Sequence, residues 1–105
     1  MRVKDWRDPI HPGEILRDEL ETIGMTPFIL ARHLHIPNNR LYQILDGRRG
    51  ITADTALRLS KFFGTTPEFW LGLQQEYELD VAKQEEHRGI ELIIPYVELQ
   101  KAKFH

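Results

Sequence analysis

The 105-residue chain has no cysteine, which excludes both a disulfide framework and a thiolate zinc site. It has no apolar run near the roughly 18–20 residues that cross a membrane, and its opening stretch, Met1 to Glu14, lacks the apolar core of a signal peptide. Its seven glycines are scattered, so there is no Gly-rich phosphate loop, nucleophile elbow or cysteine nucleophile. Metal-ligand spacing is missing as well. His33 and His35 are two apart, which sends them to different faces of a helix, and Glu85-Glu86-His87 puts no ligand pair on one face. Nor is there an excess of positive charge, since the formal net charge is -2, an unpromising total for a polyanion binder. The expectation is one small soluble, cytoplasmic domain with a single helical core and no catalytic residue, metal or cofactor.

The segment Pro27 to Asp46 is more informative, because it reads as two short helices joined by a break. Thr26 can cap the first through its hydroxyl, and Pro27 suits the first helical position, where the N–H it lacks would be unpaired anyway. Phe28, Ala31 and Leu34 recur every three residues. His35-Ile36-Pro37 then interrupts the pattern, since a residue before proline is pushed out of helical geometry. The second helix carries Leu41, Ile44 and Leu45 on one side and Asn38, Asn39, Arg40, Tyr42, Gln43 and Asp46 on the other, and Gly47 ends it. Amide and guanidinium groups make paired hydrogen bonds to the edges of adenine and guanine. Asn38, Asn39, Arg40 and Gln43 are therefore candidate base readers in a major groove, with Tyr42 at its edge.

The distribution of charge fits this better than its total. Residues 26–66 hold Arg32, Arg40, Arg48, Arg49, Arg58 and Lys61 against Asp46 and Asp54, a net of +4, with acidic stretches on both sides. Arg48 and Arg49, just past the end of the second helix, are expected at the phosphate backbone together with Thr26. The remainder reads as helix. Pro12 to Ile23 carries Leu16, Leu20 and Ile23 and ends at Gly24; Thr52 caps a helix running through Leu57, Leu59 and Phe63 to Gly64. His11-Pro12-Gly13-Glu14 reads as a helix start, with Glu14 at the positive end of the dipole. Thr66-Pro67-Glu68 starts the longest helix, whose stripe Trp70, Leu73, Tyr77 and Val81 is a candidate dimer interface, leaving an acidic outer face at Glu76, Asp80 and Glu85 for a basic partner.

The ordered strings His11-Pro12-Gly13-Glu14-Ile15-Leu16, Gly24-Met25-Thr26, Asp46-Gly47-Arg48-Arg49-Gly50-Ile51-Thr52, Ala56-Leu57-Arg58-Leu59 and Phe63-Gly64-Thr65-Thr66-Pro67-Glu68-Phe69-Trp70-Leu71 resemble the HigA/VapI family of antitoxins, in the lambda-repressor-like helix-turn-helix class. The resemblance spans roughly residues 9–80. It implies an all-α, five-helix DNA-binding fold, a homodimer on double-stranded operator DNA, repression of its own operon, and neutralisation of a HigB toxin, an RNase of the RelE-like fold that cuts messenger RNA on the ribosome. Three positions depart from the family pattern: His35 stands where a glycine commonly closes the second helix, Pro37 where a serine or threonine commonly caps the third, and Ile29 where an acidic residue is usual.

These readings divide the chain into a DNA-binding domain over 1–88, with its helix-turn-helix at 27–46, and a tail over 89–105. Ile90 to Ile94 has the composition of a strand edged by Pro95, able to pair with a partner's sheet or to pack on its own helices. Two other functions stay open at this level: a free-standing regulator without a toxin, and a protein-interaction module that has lost DNA binding.

Overall fold

The computed structural model describes residues 8–85 and 88–103. Five helices follow one another with short breaks: α1 (Pro12–Ile23), α2 (Pro27–Leu34), α3 (Asn38–Leu45), α4 (Ala53–Phe63) and α5 (Pro67–Gln84). Every start but that of α3 is set by a side chain that can take up an orphan backbone N–H. Thr26, Thr52 and Thr66 accept from the N–H groups of Ile29, Thr55 and Phe69 at 3.3, 3.3 and 3.1 Å. At α1 the cap is His11, whose Nδ1 accepts from Gly13 N at 2.9 Å while its own backbone N–H donates to Glu14 Oε2 at 3.1 Å, a reciprocal capping box.

Helix ends are equally local. His35 takes the left-handed conformation at φ 56°, and the N–H groups of Ile36 and His35 return to the carbonyls of Ala31 and Arg32 at 3.1 and 3.2 Å, closing α2 as a glycine would. Pro37 heads α3 without a side-chain cap, so the hydroxyl contact usual at this position is absent.

The core joins Leu16 and Leu20 of α1, Leu30, Ala31 and Leu34 of α2, Leu41, Ile44 and Leu45 of α3, and Ala56 and Leu59 of α4, with Ile36 and Ile51 from the loops and Trp70 from α5. The helix pairs that carry it are α1 with α3, α2 with α3 and α4, and α5 with α1 and α4. Gly13 allows the closest approach: a Cβ there would run into the carbonyl oxygen of Ile44, so the first turn of α1 lies directly on the backbone of α3. His11-Pro12-Gly13-Glu14 is thus a packing surface as well as a helix start. Ile23 and Leu57, expected on apolar faces, stand exposed.

The tail corrects the strand expectation. Arg88–Glu91 forms a single helical turn (α6) and Tyr96–Lys103 a short helix (α7), and no strand occurs among the described residues. A strand needs an edge to hydrogen-bond to, and β-branched composition alone cannot supply one. Pro95 starts a helix instead of edging a sheet: its carbonyl accepts from Glu98 N at 3.0 Å and Leu99 N at 3.3 Å. Of the Glu85-Glu86-His87 run, whose spacing argued against a metal site, residues 86 and 87 lie outside the described residues.

Candidate nucleic-acid interface

Helix α3 is held from one side only. Leu41 and Ile44 are fully buried and Leu45 is 4% exposed, which fixes the rotation of a helix only eight residues long. The opposite face then turns to solvent by helical periodicity. Asn38, Asn39 and Tyr42 are exposed there, and Arg40 and Gln43 are half-buried at its margins. Rigid anchoring matters because a side chain reads a base edge only if its backbone position is fixed.

The five candidate readers are not equivalent. Arg40 Nη1 donates to Asp54 Oδ2 on α4 at 2.9 Å, whereas no hydrogen bond holds the side chains of Asn38, Asn39, Tyr42 or Gln43 among the described residues. Asp54 also accepts from Arg58 Nε at 2.9 Å. The Arg58 bond first, and then that of Arg40, hold its carboxyl below the usual carboxylate value.

Helix α3 ends at Asp46. Gly47 follows with φ 76°, and Arg48 N and Arg49 N both return to the carbonyl of Gln43, at 2.9 and 3.2 Å. This tight exit throws both arginine side chains outward, and both are exposed. Arg48 pairs with Asp46 at 3.1 Å, and Arg17 of α1 reaches the same carboxylate at 3.3 Å. Solvent-exposed pairs of this kind are worth about 0–1 kcal/mol, and with the Arg48 side chain 67% exposed and that of Arg17 49% exposed, both guanidiniums keep their reach into solvent. Arg40 and Arg49 line one polar hollow with Thr52, Asp54 and Thr55, so these two candidates, assigned separately to base and backbone, are neighbours. Thr26 is exposed at the cap of α2, its oxygen already accepting from Ile29 N.

The loop that carries these arginines is fastened from behind. Ile51 N donates to Gln74 Oε1 of α5 at 2.8 Å. The His11 ring, besides capping α1, meets Tyr77 edge-on at 4.8 Å. Burial pulls this imidazole below its ordinary value of 6.5, against the raising effects of Glu14 and of the Arg49 backbone. Gln74 was not singled out by sequence and His11 was read only as part of a helix start, since the contact each makes with this loop or with α5 joins elements far apart in the chain. Arg58, counted with the free cations of residues 26–66, is spent internally: Nη1 donates to the carbonyls of Leu34 and His35 at 2.9 and 3.2 Å.

The dimer stripe also divides. Trp70 is 3% exposed, set between Phe63 and Phe69 with its indole N–H on Thr65 Oγ1 at 2.8 Å, so it belongs to the protomer's own core. Leu73, Tyr77 and Val81 are half-buried. No helix among the described residues is long and apolar enough to cross a membrane.

A recognition helix pinned by its apolar face, preceded by a capped companion and followed by exposed arginines, defines a helix-turn-helix DNA-binding protein of the lambda-repressor-like class. No family model matches the chain. It is 47% identical over 93 residues to virulence-associated protein I of Dichelobacter nodosus, covering 88% of this chain and 85% of that protein. The structure is similar to that of an addiction module antidote protein of the HigA family from Coxiella burnetii, with a TM-score of 0.80 and 57% identity over 84% of this chain and 98% of that one. It is likewise similar to the Pseudomonas aeruginosa antitoxin HigA solved with the higBA promoter, with a TM-score of 0.79 and 43% identity over 84% and 98% of the two chains. The chain belongs to the HigA/VapI family of antitoxins. It is a DNA-binding regulator of that family and not an enzyme.

Proposed function

We propose that this protein is the antitoxin of a toxin-antitoxin pair, binding an inverted-repeat operator as a two-fold dimer, repressing its own operon and neutralising a HigB/RelE-like toxin in the cytoplasm. The observation that carries the DNA reading is the one-sided anchoring of α3, which leaves Asn38, Asn39 and Tyr42 exposed with Arg40 and Gln43 at the margin. In this reading those five side chains face the major groove, while Thr26, Arg48 and Arg49 take the phosphate backbone. One short helix reads only a few base pairs, so two protomers set their recognition helices about 34–36 Å apart, one turn of DNA. Leu73, Tyr77 and Val81 are the proposed dimer contacts on α5. Glu76, Asp80 and Glu85, in a stretch where acidic residues outnumber basic ones, suit a basic toxin.

Titration of operator duplexes, read by fluorescence anisotropy, separates the two kinds of contact. Gln43→Ala is expected to remove about 1–3 kcal/mol of discrimination between operator and scrambled duplex. Arg48→Ala should instead weaken both duplexes alike and flatten the slope of log affinity against log salt by about one unit. A folded Gln43→Ala, Asn39→Ala double variant with unchanged operator preference rejects the base-reading assignment.

A further inference from the structure

Asp54 stands in the first turn of α4, where a carboxylate complements the positive end of the helix dipole. Its side chain is 55% exposed, and its Oδ2 is shared by two guanidinium groups, Arg40 Nη1 and Arg58 Nε, each at 2.9 Å. Arg58 is itself fixed, because its Nη1 lies on the carbonyls that close α2, at Leu34 and His35. The carboxylate is therefore braced from behind, and Arg40 is tied to a braced group. The end of α2, the first turn of α4 and the recognition helix meet in one charged chain. The Arg40 side chain is 29% exposed, against 67% for Arg48, so it lacks the freedom of an ordinary surface arginine.

A free guanidinium near DNA goes to phosphates, which are everywhere and sequence-blind. A bidentate contact to a guanine edge needs the planar fork held in one orientation. We infer that Asp54 is a specificity-determining residue of the DNA site: by fastening Nη1 of Arg40 it keeps that guanidinium off the phosphate backbone and presents the rest of the fork to a base edge. This role rests on the reading of α3 as the base-reading helix. Asp54 touches no base itself; it acts through Arg40, and Arg58 acts through Asp54.

The test uses the full chain with two duplexes of equal length, one carrying the repeat that the wild-type protein selects from a random pool and one scrambled. In Asp54→Asn the affinity for the scrambled duplex rises and its salt slope steepens by about one unit, the signature of one more phosphate contact. The ratio of selected to scrambled affinity falls about tenfold, the lower end of a bidentate base contact. Asp54→Glu restores the ratio, and in an Arg40→Ala background Asp54→Asn has no further effect. Asp54→Ser, which keeps a residue favoured at a helix start, serves where Asp54→Asn does not fold. An unchanged ratio and slope in a folded Asp54 variant, or an effect that persists without Arg40, overturns the inference. Failure of the underlying reading looks different: there Arg40→Ala and Gln43→Ala leave the selected sequence preferred as before.

Discussion

The front and back of this molecule are built to different standards of completeness. From α1 to α4 the chain builds nearly all of the core, and among the described residues every buried apolar side chain except Trp70 lies between Pro12 and Leu59, although Ile23, Phe28, Ile29 and Leu57 stay exposed. Behind them, α5 runs for 18 residues and contributes Trp70 alone to the buried set, while Leu79, Ile90, Leu92, Ile93, Ile94, Tyr96, Val97 and Leu99 are each more than half exposed. The DNA-reading unit is thus a closed core that fixes α3 by itself. The back half carries apolar surface in excess of what one protomer buries, which is how a surface meant for a second protein is composed.

One substitution made in both halves gives the largest contrast. Gly13→Ala forces a methyl into the backbone of α3 and is expected to cost about 3 kcal/mol or more. Gly72→Ala, in mid-α5 with nothing within 4 Å of the added Cβ, should instead stabilise by about 0.5–1 kcal/mol through helix propensity. Thermal unfolding of the two variants measures both, and changes of the same sign would dissolve the distinction between the halves. A smaller gain is expected at His35, the one non-glycine residue with positive φ among the described residues. His35→Gly should raise stability by about 0.5–1 kcal/mol in urea unfolding, because the left-handed cap suits a residue without Cβ.

The smallest effect is a pH dependence at the seam between the halves. With its folded value below 6.5, His11 binds its proton more readily in the unfolded chain, so its contribution to stability is complete above that pH and declines as the pH falls below it. Protonation would also cost Nδ1 its ability to accept from Gly13. His11→Asn, which keeps a capping acceptor, should flatten the stability profile below pH 6.5 in urea titrations.

The helices were legible in sequence because their signals are local. Thr26, Thr52 and Thr66 cap where their spacing to the apolar residues places them, and Gly24 and Gly64 end α1 and α4 in the left-handed conformation. The polar face of α3 was legible for the same reason, since three anchors on one side define the other. What escaped depends on residues distant in the chain. Nothing near Arg40 announces that it is tied to Asp54, fourteen residues on, and Arg58 reads as one more surface cation until α2 is seen to end beside it. Trp70 was grouped with Leu73, Tyr77 and Val81 by their shared stripe, which does not tell where the protomer's own core ends. The run Ile90 to Ile94 was read as a strand from composition, with no strand among the described residues to pair with it.

Gln74 gives the link between the halves a mechanical meaning. Ile51 is almost completely buried, and its N–H is received by a side chain from α5. A rotation of α5 that carried Gln74 away would strand that donor, at about 1–3 kcal/mol. The posture of the rear helix and the shape of the loop behind Arg48 and Arg49 are therefore one coordinate. With Arg48 and Arg49 on the phosphate backbone as proposed, a partner that turned α5 would shift that grip without touching the DNA.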